Sequence, residues 1–289
     1  MNHPAELALH SYLDKAVKGK SSISKDTAIG IAKDVQDAII KQFGGGSRGN
    51  FRLRMSNVGR PYCQLWFEKN KPETAAPKPT TFIMNMLLGD IVEAVLKGLM
   101  RESGIQYTDS QQVTLDIGTN KINGTYDIAL EGAVDDIKSA SDWSYRNKFD
   151  SFETLKSGDA FGYIGQLAGY AKATGLKPGG WWVVNKANGK FKYVPATNID
   201  MDEELDKIKK VSDKLKTNQF ERCFEPEVEK FRGKETGNMM LCKTCSFCDY
   251  KRACWPNLIE KPAVKSQAKE PKIVEYTHLA PEYADSRAS

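Results

Sequence analysis

Residues 111–140, QQVTLDIGTNKINGTYDIALEGAVDDIKSA, decide the fold. β-Branched and aromatic residues crowd QQVTLDI, KINGTYDIAL and AVDDIKSAS, and the tripeptides TNK and LEG between them carry turn chemistry. The stretch predicts an antiparallel meander of short strands. On either side the period changes. FIMNMLLGDIVEAVLKGLM, at 82–100, repeats its apolar residues at helical spacing and holds few charges, Asp90 and Glu93 being the acidic ones. Residues 146–175 return to helical character and end in GYIGQLAGYAKATG, after which GGWWVVNK and KFKYVPA read as two more strands around an Asn-Gly turn. Helix, strands, helices and strands in this order predict a mixed α/β core.

The meander also concentrates chemistry. Asp127 sits late in its strand, and Asp136 and Lys138 stand at i and i+2 of the next, hence on one face. A carboxylate and a lysine side by side can share a metal ion and its water. Ile137, between them, points into the core while its carbonyl remains a candidate ligand, and Glu93 can complete the shell from the preceding helix. Gln166 and Tyr170, four apart, share one helix face where an amide and a phenol can reach a nucleotide or the lysine. The plainer alternatives are an exposed strand of alternating charge, a core Tyr170 and a solvated Gln166. Asp90 and Asp135 are nearby carboxylates one step out of this register.

Further out, residues 1–43 read as two helices and GGGSRG, at 44–49, as a flexible joint. In the following FRLRMSNVGRPYCQLWF, Arg52, Arg54 and Arg60, with Arg48 just before, interleave with aromatics, a pattern that suits a phosphate-facing surface or, more plainly, a solvated loop with an apolar anchor. IDMDEELDKIKKVSDKLKTNQF is an amphipathic helix with acids early and lysines late. From Lys261 the composition turns to Lys, Pro, Glu, Ser and Ala without periodicity, so a disordered tail is expected over 261–289. The expected division is a helical lead-in over 1–50, a main domain over 51–260 and this tail.

The 289 residues suffice to bury a core, and no apolar run approaches the roughly 18 residues of a spanning helix, which excludes a membrane role. The N-terminus lacks the features of a secretory signal, so a cytoplasm, a host's if the gene is a phage's, is the expected compartment. Forty-two basic against 37 acidic residues give a formal charge of +5, which permits a polyanionic partner without demanding one. Four of the six cysteines, Cys242, Cys245, Cys248 and Cys254, are close in sequence, and in a reducing compartment that density reads as metal ligation. A closed zinc site made by these four is the simplest local reading.

GDIVE, GTYD, DIK and QLAGY, in that order, resemble the PD-(D/E)XK nuclease superfamily, specifically its RecB-like exonuclease branch, over about Ser56 to Pro256. The resemblance implies a central mixed β-sheet flanked by helices, with Mg²⁺ or Mn²⁺ held by Glu93, Asp127, Asp136 and the Ile137 carbonyl. It further implies that Lys138 acts on the attacking water and that Gln166 and Tyr170 help to hold the strand. Many members carry a histidine where this chain has Glu93. Members with an iron-sulfur cluster, of the CRISPR-associated or phage exonuclease type, use one cysteine ahead of the nuclease motifs and three after them, spaced CxxCxxxxxC. Cys63 and Cys245, Cys248 and Cys254 match, which implies a 4Fe-4S clamp joining the N- and C-terminal segments and leaves Cys223 and Cys242 spare. The expected activity is metal-dependent hydrolysis of DNA, from single strands or duplex ends, in recombination, repair or replication. A helicase or recombinase is an expected partner. A non-catalytic DNA-binding or docking module, stabilised by zinc or an iron-sulfur site, is the alternative.

Overall fold

The computed structural model describes residues 3–44, 51–264, 266 and 268–284. Contacts divide the chain into two units, Met1–Gly59 with Lys78–Asp213 and Arg60–Pro77 with Lys214–Ser289. Helices α1 (Pro4–Val17) and α2 (Lys25–Phe43) lead the first unit, α2 being capped by Ser24, whose hydroxyl accepts the Thr27 N–H at 3.2 Å. Helix α3 (Tyr62–Asn70) belongs to the second unit, and the long α4 (Thr81–Glu102) returns to the first. Residues 45–50, with Arg48 and most of the glycine-rich joint, lie outside the described residues.

A five-stranded sheet follows, with β1 (Thr108–Ile117), β2 (Asn120–Leu130), β3 (Ala133–Ala140), β4 (Lys177–Asn185) and β5 (Phe191–Pro195) side by side in chain order. The meander is as expected: β1/β2 and β2/β3 are antiparallel. Glu131 (φ 52°) and Gly132 (φ 79°) make the two-residue turn between β2 and β3, both in the left-handed region that a type I′ hairpin requires. β3 and β4 are parallel, which demands a crossover, supplied by a π-helical turn (Ser144–Lys148), α5 (Phe152–Ser157) and α6 (Tyr163–Thr174). β5 returns antiparallel. The fold is therefore α/β, a mixed sheet flanked by helices.

Alternation on β3 and β4 separates two cores. Val134, Ala140, Trp181 and Val183 pack with Ile164, Leu167 and Tyr170 of α6. Ile137 and Trp182 pack on the other face with Leu9 of α1 and Leu96 and Met100 of α4. One face of the sheet thus loses its apolar surface to α6 and the other to α1 and α4, at roughly 25 cal/mol per Å² removed from water.

The boundary between the units falls within α7 (Met201–Thr217). The second unit holds an antiparallel sheet of order β6-β7-β9-β8, made of β6 (Glu227–Phe231), β7 (Lys234–Met240), β8 (Ile259–Pro262) and β9 (Ile273–His278), with short helices α8 (Lys243–Ser246), α9 (Lys251–Cys254) and α10 (Pro281–Ala284). Here the structure departs from the sequence reading. The segment from 261 onward, expected to be disordered, contributes the end of β8, β9 and α10. The reason is a buried polar network that composition does not reveal. The Glu229 carboxylate accepts from the Tyr276 hydroxyl (2.6 Å), Asn238 Nδ2 (2.8 Å) and Thr236 Oγ1 (2.9 Å), and Tyr276 and Asn238 are fully buried. The expected boundaries at 50 and 260 also differ from the contact-based division, because Arg60–Pro77 joins a unit whose other residues begin at Lys214.

Candidate functional site

Asp127, Asp136 and Lys138 are brought together where strand pairing fails. β2 and β3 hold their register from Leu130↔Ala133 to Ile128↔Asp135, and Asp127 would next face Asp136, then Tyr126 Ile137. The ladder stops first. Asp127 takes over: its Oδ2 accepts the Ile137 N–H at 2.7 Å, a charge-assisted replacement for the missing backbone bond. The N–H and C=O of a strand residue point to the same side, so the Ile137 carbonyl opens onto this gap while its side chain is buried in the second core. Asp136 and Lys138 alternate with Ile137 and project from the α6 face, with Lys138 Nζ 2.5 Å from Asp136 Oδ2. Asp136 is 2% exposed, and neither of its buried oxygens makes a hydrogen bond of good geometry, although the Lys138 ammonium and the Asp127 carboxyl lie beside them.

Electrostatics mark the same spot. Burial, then the Asp136 charge, pushes the Asp127 carboxyl up to about 7. Burial raises Asp136 as well, against the pull of Lys138. For Lys138 burial works downward, but the Asp136 and Asp127 charges outweigh it and keep the amine cationic. Two carboxylates crowded at the end of the β2–β3 ladder suit a hard divalent cation.

Glu93 is the incomplete part. Burial and the Asp127 charge raise its carboxyl, which places it within electrostatic reach, yet Lys97 holds it at 2.7 Å. Lys97 is 5% exposed, also contacts Asp109 at 3.1 Å and donates to Ser110 Oγ, while the Ser110 hydroxyl donates to the Asp127 carbonyl at 3.1 Å. Among the described residues no three His, Cys, Asp or Glu side chains are gathered closely enough to hold a metal ion. The cause is visible: each carboxylate is drawn to a protein donor, Glu93 to Lys97, Asp127 to Ile137 and Asp136 to Lys138. No sequence motif announced Lys97, although its i+4 spacing from Glu93 on a helix is a legible ion-pair signal.

On α6, Gln166 Nε2 donates to the Tyr170 hydroxyl at 3.4 Å. The Tyr170 ring is buried, as the plainer alternative had it, and burial pushes its hydroxyl up to about 12, with Asp136 and Asp127 contributing. Gly124 of GTYD makes room for that ring: a Cβ there would lie 2.8 Å from Tyr170 Cε1 and 2.5 Å from the Met55 side chain. The other candidates go elsewhere. Asp135 is buried on the opposite face, accepting from Tyr193 Oη (2.9 Å) and Trp182 Nε1 (3.2 Å), and Asp90 binds Gln42 Nε2 at 2.7 Å. Arg52 and Arg54 are exposed, and Arg60, in the second unit, pairs with Glu68 at 2.8 Å.

All six cysteines are free of disulfides and all lie in the second unit. Among the described residues no three of the cysteine thiols converge closely enough to hold a metal ion. The two cysteines left spare by spacing have partners of their own. Cys223 Sγ accepts the Cys63 N–H at 3.0 Å; the hydrogen bond between the two thiols lowers Cys223 to about 7 against the opposing effect of burial, and with burial it raises Cys63. Cys242 Sγ accepts the Cys245 N–H at 3.5 Å, capping α8. Cys223 stands alone in RCF with no metal-ligand spacing, so only the fold could bring it to Cys63.

No family model matches the chain, and no curated protein matches it. Four chains of solved structures do. One, the crystal structure of SSO0001, is 12% identical, with a TM-score of 0.41, over 81% of this chain and 98% of that one. No described helix is long and apolar enough to cross a membrane.

Proposed function

We propose that the chain is a metal-dependent deoxyribonuclease of the PD-(D/E)XK superfamily, RecB-like branch, that hydrolyses phosphodiester bonds in single-stranded DNA or at duplex ends. The observation that carries the reading is the gap between β2 and β3, where Asp127, Asp136 and Lys138 meet and neither buried Asp136 oxygen makes a hydrogen bond of good geometry. Asp127, Asp136 and the Ile137 carbonyl are the groups that would hold Mg²⁺ or Mn²⁺, with Glu93 joining once released from Lys97. The chemistry such a cation supplies is charge neutralisation on the scissile phosphate and activation of water. Lys138, held as an ammonium, orients the attacking water and stabilises the charge that grows on the phosphate oxygens. Gln166 lies beside Tyr170 on the α6 face and is placed to contact the strand.

For the second unit the reading is a 4Fe-4S cluster on Cys63, Cys245, Cys248 and Cys254, whose soft thiolates suit iron; zinc on Cys242, Cys245, Cys248 and Cys254 is the alternative. Labelled linear single- and double-stranded DNA incubated with Mg²⁺ or Mn²⁺ tests the activity. Degradation is expected with the parent protein and a loss of roughly 10²–10⁴-fold with Asp136→Ala and Lys138→Ala; equal cleavage by all three sinks the assignment. The engagement of Glu93 by Lys97 favours a second reading, a DNA-binding module without catalysis. Metal-independent DNA binding with no cleavage by the parent protein would establish it.

A further inference from the structure

Lys138 is also the first member of an aromatic array that the proposed chemistry does not use. Its ammonium lies 5.0 Å from the centroid of the Tyr163 ring. Tyr163 stacks against Phe149 (5.8 Å, 22°) and against Phe161 (5.7 Å, 17°). Phe149 is buried, whereas Phe161 is 53% exposed. The Lys148 ammonium lies 4.2 Å from the Tyr163 centroid and 4.6 Å from that of Phe161. The Lys148 ammonium is itself buried and lies 4.0 Å from Asp159, so it backs the rings from inside, and Phe161 carries the exposed surface of an array that begins at the lysine of the carboxylate site.

The segment that presents Phe161 is fixed by its neighbours. Asp159 receives the backbone N–H groups of Tyr163 and Ile164 at 2.9 Å each, holding the start of α6. Gly162, at φ 73°, lies against the backbone of Gly59, and a Cβ on Gly162 would come within 2.3 Å of it. The turn is thus tied at both sides of Phe161, and the ring stays exposed at the cost of unburied apolar surface. Flat aromatic faces next to ammonium groups recur where proteins hold unpaired bases, because every base has a π-face and the adjoining phosphate carries a negative charge.

We propose that Phe161, backed by Tyr163 and Lys148, is a stacking site for an unpaired nucleobase of the strand whose phosphate is held at Lys138. The site reads no sequence and favours single-stranded or frayed DNA over a fully paired duplex. It rests on the nuclease reading for the position of the phosphate, but its test does not require cleavage.

The test uses a single-stranded oligonucleotide carrying 2-aminopurine, mixed with the full chain without divalent metal. Stacking on an aromatic ring quenches this base, so quenching is expected for the parent protein and for Phe161→Trp. Phe161→Ala is expected to lose the quenching and to bind roughly 5- to 150-fold more weakly. With a strand of abasic residues the same substitution should leave affinity unchanged, which a general disturbance of the fold would not do. Equal quenching by the parent and Phe161→Ala, or an equal loss of affinity for the abasic strand, overturns the proposal. Quenching as expected in a protein that cleaves nothing would refute the nuclease reading and leave the stacking site standing.

Discussion

At the scale of single residues, the Asp127 carboxylate carries opposing duties. It replaces a backbone bond to Ile137, yet it does so beside Asp136, and burial with that neighbouring charge holds its carboxyl up at about 7. A group whose folded pKa is raised contributes stability that is complete below its unfolded pKa, near 4, and lost as pH rises through the folded value. In metal-free buffer the melting temperature is therefore expected to fall between about pH 4 and pH 8, and Mg²⁺ at pH 8 to restore part of it. Asp127→Asn keeps an oxygen for the Ile137 N–H and removes the repulsion, so it should melt a few degrees higher than the parent at pH 8 without metal; thermal scans across pH check both. A fall with pH that is the same in Asp127→Asn would show that the Asp135 carboxyl, also raised to about 7 by burial, dominates instead. Lys97 makes the complementary prediction. Lys97→Met strips Glu93 of its buried partner, which is expected to destabilise the metal-free protein by about 3–5 kcal/mol. It should also enlarge the shift in melting temperature that Mn²⁺ produces; an unchanged shift would show that Glu93 does not join the ion.

Among the elements, the meander was legible because everything that makes it is local. A two-residue turn with both φ angles positive, LEG in the sequence, dictates the β2–β3 hairpin, and i/i+2 spacing on β3 sets Asp136 beside Lys138. The sheet of the second unit was not legible. Its strands are short and largely polar, and β9 is held by Tyr276 reaching Glu229 across the sheet rather than by an apolar stripe. Tyr276→Phe leaves the Glu229 carboxylate short of a buried donor and is expected to cost about 1–3 kcal/mol, and urea titration followed by near-ultraviolet circular dichroism would measure it. An unchanged midpoint would show that β9 contributes little to the unit. Glu93 illustrates the other limit of reading a chain. Its place four residues before Lys97 was visible, but the depth at which Lys97 is buried depends on Ser110 and Asp109 of β1, which only the fold supplies.

For the whole molecule, the cysteines decide what the second unit is. Protein purified without oxygen is expected to carry iron and absorb near 400 nm, with Cys63→Ser losing most of the iron and Cys242→Ser keeping it. Zinc in place of iron, lost with Cys242→Ser and retained in Cys63→Ser, would establish the other ligand set. Cys223→Ser is the informative third arm, because Cys223 holds the Cys63 backbone and thiol where a cluster would need that thiol free.

The second unit is also assembled from pieces far apart in the chain, Arg60–Pro77 and the residues from Lys214. A ribosome adds roughly 5–20 residues each second, so α3 leaves the exit tunnel on the order of ten seconds before the strands it belongs with. During that interval Cys63 and Phe67, both buried in the finished protein, lack the Cys223, Phe220 and Tyr250 partners they meet there. The first unit can complete its sheet while this segment waits, so the order of synthesis makes the second unit the last part of the chain to close.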